Sequence, residues 1–174
     1  MTENIEKISF LLTGGTIDGE YDPAQERKTI REKSIIRDYI ETTIKPHFDC
    51  DFKTLMMIDS LDMTDNHRAE ILAAVHDTSA DKIIITHGTS TVVETANYLA
   101  QHFAHNKKTI ILVGAIIPLV GFYPSDAAFN LGYAVSAVQN QKAGIYICMN
   151  GQVFTPDQVQ KNLEKSRFEF KEVS

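Results

Sequence analysis

Short apolar runs of strand length alternate with longer segments of helical periodicity along most of this chain. Residues 83–85 are three consecutive isoleucines, and Thr109–Val113 is again rich in β-branched residues. Such runs are typical of strands covered on both faces, as in the centre of a parallel sheet. Further strands are predicted at residues 8–12, 52–58 and 144–149.

Helices are predicted between these strands from apolar residues at helical spacing. The segments are residues 35–44, 71–75, 92–103 and 127–138. By contrast, residues 18–28 are polar and interrupted by glycine and proline, which predicts a surface loop. The residues from Gln152 onward are charged and show little periodicity.

The order β-α-β-α-β-α-β-α-β predicts an α/β fold. We expect a parallel β-sheet with helices on both faces, in a Rossmann-like or flavodoxin-like three-layer arrangement. A length of 174 residues fits a single domain. Ligands of such sheets bind at the carboxyl ends of the strands. Because the loops after the strands are rich in hydroxyls and glycine with a few carboxylates, they indicate a site for a small polar ligand.

Composition and charge argue against several other classes of protein. The net charge of -6 disfavours nucleic acid as a partner, because phosphate binding depends on basic patches. No apolar run approaches the roughly 20 residues of a membrane-spanning helix. The acidic first residues, unlike a basic secretory start, indicate a cytoplasmic protein. Cys50 and Cys148 lack metal-ligand spacing and are interpreted as small buried hydrophobic residues, and we expect neither a metal nor a cofactor.

Taken alone, the polar residues after the strands have structural interpretations as well as functional ones. The adjacent glycines at 14–15 suit a simple turn and lack the spacing of a dinucleotide-binding fingerprint. Ser90 and Thr91 are residue types that cap a helix. A lone histidine such as His87 is more often structural than catalytic. By composition, Lys161 is interpreted as a solvated charge.

The same loops resemble the signatures of the bacterial L-asparaginase family. Residues 13–17, TGGTI, are similar to the first signature, and residues 86–96, THGTSTVVETA, are similar to the second. A later stretch at 113–131 is similar to the family's following segment. The similarity runs from about residue 8 to residue 161 and corresponds to the amino-terminal domain of that family.

This resemblance implies acyl transfer from a side-chain amide. In the family, a threonine hydroxyl attacks the amide, ammonia leaves, and water cleaves the acyl-enzyme. The implied catalytic residues are Thr16 as nucleophile, Thr89 and Lys161 as the second threonine and its lysine, and Tyr21 as a group that assists the nucleophile. The implied substrate-binding residues are Asp59, Ser60, Gly88 and Ser90.

Three features depart from the family pattern. Ser90 stands where the family has an aspartate that holds the substrate's α-ammonium and supports the lysine, and a serine supplies no negative charge. Leu61 stands where the family often has a polar residue. Finally, we expect residues 1–174 to contain the amino-terminal-type domain without the family's second, smaller domain.

These departures leave two functions open. The first is an asparaginase-type amidohydrolase that acts on a small amide such as asparagine, or on an amide that lacks an α-ammonium group. The presence of Thr16, Thr89 and Lys161 together favours it. The alternative is a catalytically silent domain that binds a small ligand or a partner. Because the family assembles through intimate pairs, we also expect a homodimer or homotetramer.

Overall fold

A computed structural model describes residues 7–103 and 107–172 of the chain. The strands in chain order are β1 (Lys7–Gly14), β2 (Gly19–Asp22), β3 (Arg27–Ile30), β4 (Asp49–Ile58), β5 (Lys82–Thr86), β6 (Thr109–Val113), β7 (Gly144–Met149), β8 (Gln152–Phe154), β9 (Val159–Asn162) and β10 (Arg167–Phe170). The helices are α1 (Ile36–Asp38) with a π-helical continuation (Tyr39–Ile44), α2 (Asp65–Asp77), α3 (Val92–His102) and α4 (Ala127–Asn140).

Six of the strands form a central sheet in the order β4-β1-β5-β6-β7-β8. The first five pair in parallel, and β8 pairs antiparallel with β7. The predicted parallel sheet is therefore confirmed, with one added strand. Asn150 and Gly151, with φ of 56° and 75°, join β7 to β8. Two positive φ angles in an Asn-Gly pair are typical of the tight hairpin turn whose twist matches that of the strands.

Helices cover both faces of the sheet, as the alternating pattern predicts. Side chains of α2 and α3 pack on one face with Ile83 and Ile85 of β5, whereas α1 and α4 pack on the other face with Ile84. All three isoleucines are fully buried. Since successive residues of a strand point to opposite faces, consecutive isoleucines are required wherever both faces are covered.

Residues 18–28 were expected to form a surface loop, and this prediction is wrong. β2 and β3 form an antiparallel hairpin, with Gly19 opposite Ile30 and Asp22 opposite Arg27. Asp18, just before the hairpin, is fully buried. The hairpin lies outside the central sheet, so its strands do not need the apolar alternation by which a strand is recognised in a sequence.

The region after Gln152 also contains more structure than its weak periodicity indicated. β9 and β10 form a second hairpin, with Lys161 opposite Phe168. Val159 and Phe168 are buried in the core that lies against α2 and α3. A single anchoring side chain in each short strand is too little to produce a periodic signal.

The first helix has the predicted extent but an unusual end. Three α-helical residues continue into the π-helical segment, and Lys45 stops it in the left-handed conformation with φ of 52°. Pro46 follows, as expected for a residue that disfavours continuation of a helix. Within residues 7–103 and 107–172, no helix is both long and apolar enough to cross a membrane.

Candidate active site

The loops that follow β4, β1 and β5 meet at the carboxyl edge of the sheet, because these three strands are neighbours. The loop after β1 begins a 3-10 turn at Thr16, the loop after β4 begins one at Ser60, and Thr89 lies between β5 and α3. The topology thus brings together the three loops that hold most of the predicted site residues.

Glycines allow these loops to touch. A Cβ atom on Gly15 would lie 2.3 Å from the backbone nitrogen of Gly88, and one on Gly88 would lie 2.4 Å from Ser60 Oγ. Gly15 also has a φ of 77°, which strongly favours glycine. The glycines of the two signatures are therefore packing residues that bring the backbones of the loops into contact.

Ser60 is buried and binds the Ser90 region rather than pointing into open space. Its Oγ accepts a hydrogen bond from the Ser90 backbone N–H at 3.2 Å, and its carbonyl accepts one from the Thr91 hydroxyl at 2.7 Å. The Ser90 residue itself is exposed. Ser60 thus fixes the position of the loop in which Ser90 stands.

Thr16 and Thr89 are each bonded to a lysine. Lys28 Nζ donates to Thr16 Oγ1 at 3.1 Å, and Lys161 Nζ donates to Thr89 Oγ1 at 2.8 Å. Thr89 is 6% exposed, whereas Thr16 is only partly buried. The pairing of Thr89 with Lys161 follows the roles implied by the family resemblance, but no sequence motif indicated the pairing of Thr16 with Lys28.

Asp59 carries the negative charge that lies near both lysines. Its Oδ2 is 3.8 Å from Lys28 Nζ, and its Oδ1 accepts the Leu61 N–H at 3.0 Å. Burial lowers the pKa of Lys161, and the charge of Asp59 opposes that shift. One carboxylate therefore acts on two ammonium groups, and the site carries more positive than negative charge.

Lys161 reaches Thr89 because its hairpin is tied to the end of the sheet. Asn150 Oδ1 accepts the Phe168 N–H at 2.8 Å, and the Asn150 N–H donates to Asn130 Oδ1 at 3.0 Å. Asn130 in turn donates to the Gly114 carbonyl at 3.1 Å. This chain of amides holds β10, the partner strand of the one that carries the lysine, against the loops after β6 and β7.

Tyr21, the group implied to assist the nucleophile, is 56% exposed. It lies directly opposite Lys28 in the hairpin. Among the hydrogen bonds of the described part of the chain, none joins its hydroxyl to Thr16. Lys28 is the residue that the sequence reasoning missed, and only the β2–β3 pairing, which was not predicted, would have placed it near Thr16.

His87 is fully buried beneath the loop that carries Thr89. Its Nδ1 donates to the Gly88 carbonyl at 2.8 Å, so its Nε2 accepts from the Thr95 hydroxyl at 2.9 Å. Thr95 Oγ1 accepts from Arg68 Nε at 3.2 Å. Burial lowers the pKa of His87 to about 4, which fits a neutral ring with a structural role.

The side chains of the described residues also bear on metal binding. No group of three or more histidine, cysteine or acidic side chains is arranged to hold a metal within residues 7–103 and 107–172. The groups that these loops bring together at the edge of the sheet are hydroxyls, amines, carboxylates and backbone N–H groups.

Comparison with known proteins identifies the family. Residues 7–174 match the family described as Asparaginase, N-terminal. The chain belongs to the asparaginase family. It is 29% identical over 178 residues to L-asparaginase 2 of Escherichia coli (strain K12), an alignment that covers 98% of this chain and 50% of that protein.

Solved asparaginase structures have the same fold. The probable cytoplasmic L-asparaginase of Campylobacter jejuni has a TM-score of 0.79 at 29% identity, covering 95% of this chain and 53% of that one. The thermostable L-asparaginase of Thermococcus kodakarensis has a TM-score of 0.81 at 24% identity, covering 94% and 51%. The chain thus spans about half the length of the curated asparaginase relatives that it matches.

Proposed function

We propose that this chain hydrolyses a small primary amide to the acid and ammonia, with Thr16 as the nucleophile. The observation that carries the proposal is the presence of two threonine–lysine pairs on adjoining loops, both under the influence of Asp59. A threonine hydroxyl is a weak nucleophile and needs a neighbouring group that favours its ionisation. Each pair supplies such a group.

The two pairs have different parts in this reaction. Thr16 Oγ1 attacks the amide carbon, ammonia leaves, and an acyl-threonine remains. Burial lowers the pKa of Lys161, and its Nζ lies 2.8 Å from Thr89 Oγ1, so this pair is placed to take up the proton of the water that cleaves the acyl group. Backbone N–H groups near Thr89 would stabilise the charged oxygen of the intermediate.

For the substrate, we propose an amide that carries no α-ammonium group. Ser90 provides no carboxylate for an ammonium. Both oxygens of Asp59 already face Lys28 or Leu61, and those of Asp126 accept the N–H groups of Ile116 and Ile117. Ser90 therefore leaves no carboxylate at the family's ammonium-binding position, and the carboxylates of Asp59 and Asp126 already have partners, so L-asparagine should be a poorer substrate than succinamate.

Ammonia release from L-asparagine, succinamate and propionamide tests this function. We expect Thr16→Ala to lower kcat by at least about 10³-fold, since removal of a covalent nucleophile has effects of this order or larger. Thr43→Ala, a change at an exposed threonine, serves as the control and should leave the rate unchanged. Full activity of Thr16→Ala would exclude Thr16 as nucleophile. Absence of ammonia release by the wild type from all three amides would contradict the proposed reaction.

We also propose that the chain forms a homo-oligomer in the cytoplasm. Phe129 and Tyr133 are exposed and stacked on α4, and such aromatic side chains are common in interfaces. The Campylobacter jejuni relative is described as a probable cytoplasmic L-asparaginase, which supports the second part of the proposal. Light scattering coupled to size-exclusion chromatography tests the homo-oligomer, and a monomer at micromolar concentration would contradict it. Cell fractionation tests the cytoplasmic location.

A further inference from the structure

Lys28 is a charged side chain at the candidate active site with no role assigned by the family signatures. Its Nζ contacts Thr16 Oγ1 at 3.1 Å and lies 3.8 Å from Asp59 Oδ2. The Lys28 side chain is 33% exposed, so its ammonium is partly shielded from water. An ammonium therefore lies between the proposed nucleophilic oxygen and a carboxylate.

The hairpin is shaped to bring this lysine to Thr16. A Cβ atom on Gly19 would lie 3.3 Å from Lys28 Cδ and 2.9 Å from the Thr16 carbonyl oxygen. A larger residue at position 19 would therefore contact the aliphatic part of the Lys28 side chain and the Thr16 carbonyl oxygen. Glycine at this position leaves room for Lys28 to cross from β3 to the nucleophile.

The two arginines near Lys28, one in β3 and one directly after it, have partners other than the candidate site. Arg27 donates to Gln25, and Arg31 pairs with Glu20 at 2.9 Å. Both arginines therefore bind within the hairpin. Lys28 differs from them because its charged end contacts Thr16 and Asp59, two residues of the loops after β1 and β4.

We propose that Lys28 is a second catalytic lysine of the amide hydrolysis, an inference that rests on the function proposed above. Its ammonium donates a hydrogen bond to Thr16 Oγ1 and stabilises the negative charge that this oxygen gains as its proton leaves. A fixed cation at the position where charge develops accelerates a reaction more than one that must be recruited from solvent.

The step balances without an additional reactant. The bond from Thr16 Oγ1 to the amide carbon forms, and the carbonyl electron pair moves to the carbonyl oxygen. When that pair returns, the C–N bond breaks, and the proton lost by Thr16 leaves on the nitrogen as part of ammonia. Water then adds to the acyl group, and one of its protons restores the Thr16 hydroxyl. Lys28 remains an ammonium throughout.

Asp59 acts as the positioning residue for this lysine. Its Oδ1 is fixed by the Leu61 N–H, which directs Oδ2 towards Lys28. Asn at position 59 would keep an oxygen for Leu61 but remove the charge. The Asp59→Asn substitution therefore tests the effect of the charge on Lys28 while the loop keeps its hydrogen bond to Leu61.

Steady-state kinetics on succinamate and propionamide test the proposal. Lys28→Met should lower kcat about 10- to 100-fold on both amides with KM changed less than about twofold, because loss of a charge at the reacting oxygen weakens the transition state. Lys28→Arg keeps the charge and should recover part of the lost kcat. Lys33→Met, at an exposed position five residues further along the chain, is the matched control and should behave as wild type.

The coupling of Lys28 to Asp59 is measured with a double-mutant cycle. Asp59→Asn should lower kcat less than Lys28→Met does. Adding Asp59→Asn to Lys28→Met should lower kcat by a smaller factor than Asp59→Asn does in the wild type, because part of the effect of Asp59 passes through Lys28 and the rest through Lys161. Three outcomes would overturn the proposal: an unchanged kcat in Lys28→Met, an effect confined to KM for succinamate, or Lys28→Arg as slow as Lys28→Met. The second would assign Lys28 to substrate-carboxylate binding instead.

A second readout does not depend on the natural substrate. Wild type and Lys28→Met are incubated with p-nitrophenyl acetate, and acetylation of Thr16 is followed by peptide mass spectrometry. We expect acetylation of Thr16 in the wild type and a rate about tenfold or more lower in Lys28→Met. Equal rates, or a wild type that is not acetylated at Thr16, would overturn the role of Lys28. Acetylation of Thr16 that is slower in Lys28→Met, without ammonia release from any amide, would contradict the proposed function but support the activation of Thr16 by Lys28.

Discussion

Gly88 contributes to the site because it has no side chain, which lets its backbone pack against Ser60. The peptide at this position packs directly on Ser60, which is buried and holds the Ser90 region by two hydrogen bonds, one to its side chain and one to its carbonyl. A Cβ on Gly88 would also lie 2.6 Å from Ser60 Cβ. Because a serine side chain is short, it has no flexible end that could move away from such a contact.

We expect Gly88→Ala to lower the free energy of unfolding by about 1–3 kcal/mol, the usual effect of overpacking. Ser60→Gly in the same chain removes the two closest contacts and should recover part of this loss. Gly132→Ala is the control, since a Cβ there meets nothing within 4 Å and alanine stabilises a helix by about 0.5–1 kcal/mol. Urea unfolding of the wild type and these three variants measures the differences, and an unchanged Gly88→Ala would show that the loops separate easily.

A series of hydrogen bonds from α2 and α3 fixes the position of the loop that joins β5 to α3. Arg68 on α2 donates to Thr95 on α3, Thr95 donates to His87, and His87 donates to the Gly88 carbonyl. Arg68 is also bonded to Asp65 at 2.9 Å, near the start of α2. Two helices and a strand thus determine together which way the Gly88 peptide points.

This buried histidine should make the stability depend on pH. Burial is the main reason that the pKa of His87 falls from 6.5 to about 4, and the charge of Arg68 adds to the shift. Between these pH values the unfolded chain binds a proton that the folded protein does not. The free energy of unfolding should therefore fall as the pH drops from 6.5 to about 4, by roughly 3 kcal/mol in total.

Urea unfolding of wild type and His87→Gln between pH 4 and pH 7.5 measures this contribution as the difference between the two pH dependences. His47→Gln, at an exposed histidine, is the control and should retain the wild-type dependence. The same pH dependence in His87→Gln as in wild type would show that His87 is charged in the folded protein at acid pH or is accessible to water.

At the scale of the whole molecule, one sheet supports two separate hydrophobic layers. Ile84 and Ile85 are neighbours on β5, yet they belong to the clusters on opposite faces, and both are fully buried. Every parallel strand contributes to both layers in this way. Loss of either layer should therefore disrupt the other, because the sheet between them would lose half of its packing.

We expect Ile84→Ala and Ile85→Ala each to lower the free energy of unfolding by about 2–5 kcal/mol, as for other large-to-small changes in a core. Both variants should still unfold in one cooperative transition. Leu163→Ala, at a leucine that is 77% exposed, should change the stability by less than about 0.5 kcal/mol. Separate transitions by near- and far-ultraviolet circular dichroism in either variant would contradict the coupling of the two layers.

The sequence alone was sufficient to predict the parallel sheet, its covering helices and the loops at which the site lies. These features follow from local patterns: consecutive isoleucines at 83–85 require burial on both faces, and apolar residues at helical spacing require one buried side. The signature residues Thr16 and Thr89 fall on such loops, but their approach depends on β1 and β5 being neighbours in the sheet, which the structure shows.

Only the tertiary structure decided that Lys28 stands beside Thr16, whereas the family resemblance already implied Lys161 as the lysine of Thr89. Lys28 and Lys161 belong to two hairpins outside the parallel core, whose short strands are anchored by few apolar side chains and leave almost no periodic pattern. Both hairpins depend on contacts between residues far apart in the chain, such as the hydrogen bond from Phe168 to Asn150. A lysine on a polar segment has the same local sequence whether it is solvated or bonded to a nucleophile, because the difference arises from packing between distant segments.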